Sequence, residues 1–237
     1  MVIHESSALA ADVLSRTPLA FSSSLVSPPT FHEQAVSFLQ SSRFDEALQS
    51  LDRASAELMN TLGVTHKMMG NYDKALDSFM SAIRLTDGFH AHYNAANLLH
   101  YILYETDQYN KQQVLETAIS FYDKALVRAM VDRQVVNGVV SNTIKAQVYF
   151  ELSEALRKGN RFSESTLALI KAAQFDAKYQ HDLGNSVVML VNKGYIQDAM
   201  NAASAAVELD PMHPALKRNY EVLLQEIEKQ KQVPVQV

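Results

Sequence analysis

Apolar residues recur at helical spacing through most of the 237-residue chain, and glycine (7) and proline (6) are scarce. This pattern predicts an all-α protein in which no strand is needed. A short leading helix is predicted over about residues 6–16, within a leading segment of residues 1–16. Residues 17–30 are rich in serine and proline, which predicts a linker between that segment and the main body.

One arrangement of residues returns five times along the main body. A small residue near the start of a helix is followed by a second residue four positions on, usually bulky, and by an alanine seven positions on, so that all three share one helical face. The small residue permits a close helix crossing and the bulky residue fills the gap. The five sets are Ala47, Leu51 and Ala54; Ala75, Phe79 and Ala82; Ala118, Tyr122 and Ala125; Ser165, Leu169 and Ala172; and Ala199, Ala203 and Ala206.

These sets predict five helical hairpins over about residues 28–212, with insertions near residues 101–113 and 131–143. The spacing between the alanines that end each set is 28, 43, 47 and 34 residues. A stripe of apolar residues in residues 213–231 predicts a helix that caps the last hairpin, and residues 232–237 are predicted to fray. The first insertion is rich in tyrosine, so it either packs back on the hairpins or docks a partner.

The unit at residues 60–87 resembles the tetratricopeptide repeat. It has Leu62 and Gly63 in its first helix, Tyr72 at the turn, and Ala75 and Phe79 in its second helix. The last unit keeps the same features in Leu183-Gly184-Asn185 and Asp210-Pro211. The family's tryptophan is absent, and the glycine is replaced by other small residues in the remaining units. The resemblance implies a right-handed superhelical solenoid of about five hairpins, of which only the last spacing matches the family period.

The resemblance also implies a concave groove lined by the first helix of each hairpin. Asparagine side chains there can pair with an extended peptide backbone, and aromatic rings can cover apolar side chains. Packing against a neighbouring helix is the alternative role for each of them. The predicted groove residues are His32, Asn60, Val64, Lys67, Tyr93, Asn97, His100, Tyr101, Phe150, Glu154, Arg157, His181 and Asn185.

Composition and motifs argue against several classes of function. The 21 basic and 26 acidic residues leave a net charge of -5, which argues against nucleic-acid binding. There is no cysteine, and His90, His92 and His100 are not spaced to share one helix face, so no metal is expected. Phosphate loops, nucleophile elbows and paired catalytic carboxylates are also missing from the sequence, so we expect neither a cofactor nor enzymatic activity.

The chain has no apolar run of 18 residues, and Glu5 and Asp12 lie in its first 16 residues. The expectation is an intracellular soluble protein, cytoplasmic by default, with no direct membrane insertion. One subgroup of the family grips the carboxyl end of chaperone tails with lysine and asparagine on its first helix, asparagine on its third helix, and lysine and arginine on its fifth helix. Residues 31–41 and 89–101 contain neither lysine nor arginine, so that carboxylate clamp is not expected.

The sequence thus predicts a non-catalytic interaction module or scaffold that binds an extended or helical segment of another protein, or sits within a larger complex. Two alternatives stay open. The chain could form a homo-oligomeric scaffold through its leading or terminal helix, or the leading helix could occupy the groove of its own chain. An enzyme is a remote third alternative.

Overall fold

The structure is a computed structural model that describes residues 30–131 and 141–232. The predicted leading helix, residues 17–29 of the linker, residues 132–140 of the second insertion and the tail beyond residue 232 lie outside the described residues. Helices account for the regular structure in the described ranges, which contain no strand. The ten α-helices are α1 (Phe31–Gln40), α2 (Phe44–Met68), α3 (Tyr72–Leu85), α4 (Phe89–Tyr101), α5 (Lys111–Val131), α6 (Asn142–Lys158), α7 (Phe162–Phe175), α8 (Gln180–Asn192), α9 (Ile196–Leu209) and α10 (Pro214–Gln232).

The chain divides between residues 139 and 140 into two compact units. Unit one contains α1 to α5, and unit two contains α6 to α10. Within each unit, helices that follow one another pack as antiparallel pairs, with the closest pairing inside the hairpins α2–α3, α4–α5 and α6–α7. The prediction of an all-α fold built from helical hairpins is therefore confirmed.

Four of the five hairpin turns close in the same way. The second turn residue has a positive φ in each, and its identity is Ser42, Gly70, Asn160 or Gly194. The next backbone N–H then donates to the carbonyl five residues back, as in the bond from Asn71 to His66 at 2.9 Å. This bond ties off a helix end that would otherwise leave its carbonyls unpaired. Glycine at positions 70 and 194 adopts the left-handed conformation without steric cost.

The predicted packing face is buried in four hairpins. Phe79, Tyr122, Leu169 and Ala203 are nearly inaccessible to solvent, as are the small residues that precede them. Phe79 lies directly over Gly63, where an added Cβ would be 2.5 Å from the aromatic ring. The close helix crossing that small residues permit is thus present in the α2–α3 hairpin.

The first hairpin differs from this pattern. Five separate hairpins, the second of them at residues 60–87, require two helices in this region, whereas the structure has one continuous helix, α2, of 25 residues. The second helix of hairpin one and the first helix of hairpin two are therefore the two halves of α2. Leu51, the residue expected to fill the gap beside Ala47, is 38% exposed. No later helix folds back over it, because the chain does not turn between the two hairpins.

The last helix, α10, packs against α8 and α9 as predicted for a capping helix. Its Leu216 and Leu223 join the buried core of unit two. A methyl group of Leu216 lies 3.1 Å from the position that a Cβ would take on Gly184. The end of unit two is thereby closed by apolar side chains of α10.

Candidate functional site

The predicted groove residues of unit one lie on α1, α2 and α4. His32 is exposed on α1, while Asn60, Val64 and Lys67 are partly exposed on the carboxyl-terminal half of α2. Asn94 on α4 donates a side-chain hydrogen bond to Asn60 at 2.9 Å. This bond links two first helices across what would be the groove surface, and Asn94 was not among the predicted residues.

The predicted residues of α4 are mostly turned into the hairpin. Tyr93 is 6% exposed and stacks on Phe89, with ring centroids 5.8 Å apart. His100 is fully buried, and its Nδ1 lies 3.2 Å from the hydroxyl of Tyr122. That hydroxyl also donates to the Asn97 side chain at 2.7 Å. Tyr93 and His100 therefore belong to the packed interior of the α4–α5 pair, and Tyr101, partly exposed, stacks on His100.

A charged cluster that sequence reasoning missed lies at the beginning of α4. Asp87 accepts hydrogen bonds from buried His92 and from Arg128 of α5. The hydrogen bond with His92, aided by the charge of Arg128, holds the pKa of Asp87 below its ordinary value. The cluster ties the junction between α3 and α4 to α5. Within the described residues, no group of three histidine or carboxylate side chains is arranged to hold a metal ion.

The predicted residues of unit two form a more accessible surface on α6 and α8. Phe150 stacks on Tyr179, with ring centroids 4.8 Å apart and 21° between the planes. Arg157 binds Glu154 through two hydrogen bonds of 3.1 and 2.5 Å. His181 and Asn185 are exposed on α8, four residues apart and so on one face of the helix.

Asp182 connects these groups electrostatically. Burial raises the pKa of Asp182, the charge of neighbouring His181 opposes this rise, and the negative charge of Glu154 adds to it. The two carboxylates are thus neighbours on the surface formed by α6 and α8. We call Phe150, Tyr179, Glu154, Arg157, His181, Asp182 and Asn185 the α6–α8 surface. Neither Tyr179 nor Asp182 was predicted, although Asp182 follows His181 directly in the sequence.

The first insertion partly packs back on unit one. A 3-10 turn, Leu103–Glu105, follows α4, and Leu103 is 2% exposed. Tyr109 donates a hydrogen bond to Asp73 in the first turn of α3. The insertion and the turn before α3 enclose a concavity of about 440 Å³. Much of the apolar content of this insertion is therefore accounted for by contacts within the chain.

The hairpin formed by α2 and α3 matches a known family. Residues 56–87 match the family model described as Tetratricopeptide repeat. In the structure these residues form the second half of α2 and all of α3, the pair in which Phe79 covers Gly63. This hairpin is therefore a tetratricopeptide repeat. Proteins of this family generally mediate protein–protein interactions.

Several solved structures, two of them of tetratricopeptide proteins, are similar at low identity. YrrB, described as a protein with an unusual peptide-binding site, is 18% identical, with 73% of this chain and 77% of that chain covered and a TM-score of 0.44. TTC0263 of Thermus thermophilus is 16% identical, with coverages of 82% and 97% and a TM-score of 0.42. PilF of Pseudomonas aeruginosa is also 16% identical, with coverages of 75% and 71% and a TM-score of 0.41.

A search of curated proteins found no match. At these identities and TM-scores, the similar structures do not indicate what this chain binds. Among the described residues, no helix is long and apolar enough to cross a membrane.

Proposed function

We propose that this tetratricopeptide protein is a non-catalytic interaction module that holds a segment of another polypeptide against the first helices of its hairpins. The α6–α8 surface is the observation that carries the proposal. It combines the partly exposed ring of Phe150, which stacks on buried Tyr179, with an exposed histidine and asparagine and a bidentate Arg157–Glu154 pair on two first helices of unit two. Such a mixture suits a peptide, because the ring of Phe150 can cover an apolar side chain while the polar groups bind the backbone.

The electrostatics of this surface favour a basic residue in the bound segment. The pKa of Asp182 is raised by partial burial and, more weakly, by the charge of Glu154, even though His181 acts in the opposite direction. A lysine or arginine placed beside Asp182 would oppose this rise, since an opposite charge favours the ionised carboxylate. We therefore propose an extended or helical segment with at least one basic side chain.

Unit one supplies a smaller polar surface through Asn60, Asn94 and Lys67. Tyr93 and His100 take no part in the proposal, because a partner could reach them only by opening the α4–α5 pair. Helices α1 and α4 contain neither lysine nor arginine, so the proposal does not include capture of a carboxyl terminus by a basic clamp.

The test is quantitative capture of partners by the tagged full chain from its own cell extract, with lysine cross-linking and mass spectrometry. The variant pair is His181→Ala with Asn185→Ala on the α6–α8 surface. The control pair is Lys171→Ala with Gln174→Ala, which are exposed on the second helix α7. We expect the first pair to lower recovery of a recurrent partner about tenfold, as for two residues near the centre of an interface, and the control pair to leave recovery unchanged.

Cross-links should arise from Lys158 and Lys178 but not from Lys145, which is only 4% exposed. Equal recovery by both variant pairs would remove the binding site from the α6–α8 surface. Substitution of Asp182 by asparagine should weaken the same partner if its segment is basic, and an unchanged affinity would contradict that part of the proposal.

A further inference from the structure

An apolar stripe runs along α2, separate from the proposed peptide-binding surfaces. Its five members are large and at least 38% exposed, and Ser55 continues the row at its centre. The row follows alternating steps of four and three residues, which is the heptad spacing of a coiled-coil seam. The stripe is Phe44, Leu48, Leu51, Leu58 and Leu62.

Among residues 30–131, the neighbours of α2 leave this face open. Helix α1 packs along the side of the amino-terminal half that buries Ala47 and Ser50. Helix α3 packs on the side of the carboxyl-terminal half that buries Ala56 and Gly63. By helical position, the stripe lies between these two sides. Because α1 and α3 flank different halves of α2, neither blocks the approach of another helix along the whole stripe.

The stripe is complementary to itself when it is reversed. In an antiparallel pair of α2 helices, Phe44 of one copy meets Leu62 of the other, Leu48 meets Leu58, and Leu51 meets Ser55. The three pairs have the same register, since each pair of residue numbers is symmetric about residue 53. Antiparallel coiled coils pair the two kinds of seam position in this way. A two-fold axis at the level of residue 53, on the stripe side of the helix, would therefore bring every large stripe residue against the partner's seam.

We propose that the α2 stripe is the interface between two copies of this chain, paired antiparallel. The stripe exposes on the order of 500 Å² of apolar surface per copy, so a pair would bury about 1,000 Å², the lower end of the range for specific interfaces. Val36 and Leu39 of α1, the helix that packs on α2, are also exposed. An interface of this size fits a reversible dimer.

The length of the stripe favours a second α2 over the chain's own leading segment. Its ends are 18 residues apart in one helix, which corresponds to about 27 Å. The predicted leading helix of residues 6–16 would be about 16 Å long and offers only Leu9, Val13 and Leu14. Such a helix would cover little more than half of the stripe, whereas a second α2 matches it from end to end.

Two further consequences distinguish this pairing. Ser55 places a polar group against Leu51 of the partner, so Ser55→Leu should tighten the dimer about tenfold. The symmetry also brings the two Asp52 carboxylates near each other beside the axis. Their repulsion is screened by salt, so the dimer should strengthen as ionic strength rises.

The register can be tested directly, because the full chain contains no cysteine. Single variants Leu48→Cys and Leu58→Cys are mixed and treated with a short thiol-reactive cross-linker. Antiparallel pairing predicts a covalent dimer in the mixture and little in either variant alone. Efficient dimers of each variant alone would overturn the proposal in favour of parallel pairing.

Sedimentation velocity of the full chain gives the second test. We expect a monomer–dimer equilibrium at concentrations up to about 100 µM, the range for an interface near the lower size limit. Leu58→Glu should weaken association at least tenfold, while Leu167→Glu on α7, where the leucine is similarly exposed, should not. A wild-type chain that is monomeric throughout, or one whose association is unaffected by Leu58→Glu, would overturn the proposal. Greater protease cleavage of residues 1–29 in a monomeric Leu58→Glu variant would instead identify the leading segment as the occupant.

Discussion

The two hairpins that share α2 use the same residue pattern but differ in what it buries. In the second hairpin, Phe79 of α3 is completely buried and lies against Gly63, and the following helix α4 packs on α3. In the first hairpin, the corresponding Leu51 stays 38% exposed, although Ala47 beside it is buried. The other helix of the same hairpin is enough to bury the small residue. The bulky residue becomes buried only where the next hairpin also folds back over it.

The turn between hairpins is therefore as important as the pattern within them. Between α3 and α4 the chain breaks at Thr86–Asp87–Gly88, and α4 returns along α3. Between the first two hairpins there is no break, and the surface that would have been covered becomes the α2 stripe. This difference can be tested by substitution, beginning with the largest expected effect.

The largest expected difference in stability between the two hairpins is that between alanine variants of their corresponding residues, Phe79 and Leu51. Phe79→Ala removes a fully buried ring, and we expect it to lower the free energy of unfolding by about 3–5 kcal/mol. Leu51→Ala removes a partly solvated side chain and should cost less than about 1.5 kcal/mol. Urea unfolding of dilute, monomeric protein measures both values. Equal losses would mean that Leu51 is covered within the single chain.

Two glycines at the same position of different hairpins give the next comparison. An alanine Cβ at position 63 would meet the buried ring of Phe79, whereas at position 184 it would meet one methyl group of Leu216 at 3.1 Å. We expect Gly63→Ala to cost about 1–2 kcal/mol, because overpacking exceeds the gain in helix propensity. Gly184→Ala should be nearly neutral.

Hydrogen exchange of the α2–α3 and α8–α9 amides shows whether the loss of stability caused by each glycine substitution is confined to the unit that contains it. If the two glycine variants are equally stable, the tight crossing of α2 and α3 cannot be what buries Phe79.

The smallest expected change in stability is that of an Asp87 variant. Asp87 lies in the turn between α3 and α4, and no such turn exists between the first two hairpins. Its pKa is lowered in the folded chain, so its stabilising contribution is complete above the unfolded pKa and is lost as the pH falls through the folded pKa. Asp87→Asn should therefore reduce the free energy of unfolding near pH 6 by less than about 1 kcal/mol, because the site is largely exposed.

The difference between Asp87→Asn and wild type should shrink as the pH is lowered from about 5 to 3. Asp107→Asn is the control, since Asp107 is almost fully exposed beside Lys111. A difference that grows toward acid pH would contradict the assigned direction of the Asp87 pKa.

Much of the fold could be predicted from the spacing of alanines and bulky residues. The continuous α2 was missed, although its signal is present. Ala54 and Ala82 are 28 residues apart, about six fewer than the 34-residue family period. Those missing residues are the ones that would form a turn, so the two helices join into the single continuous helix α2.

The binding surface was less predictable. Helical register places Tyr93 and His100 on a first helix. It cannot show that Tyr93 stacks on Phe89 and that His100 contacts Tyr122, so that both are buried in the α4–α5 pair. Asn94 and Asp182 reach the surface through contacts with residues distant in sequence. Such contacts depend on how neighbouring helices are rotated, which a single helical pattern does not specify.

The most direct test of this account is the distance between spin labels at positions 49 and 67, measured by pulsed electron resonance. The chain has no cysteine, so Gln49→Cys with Lys67→Cys can be labelled cleanly, and dilution with unlabelled chain isolates the distance within one molecule. A continuous α2 predicts about 27 Å between the two backbones, with the labels on one face of the helix. A distance below about 20 Å would mean that the chain folds back near residue 57, as packed neighbouring helices require, and would contradict both the shared helix and the exposed stripe.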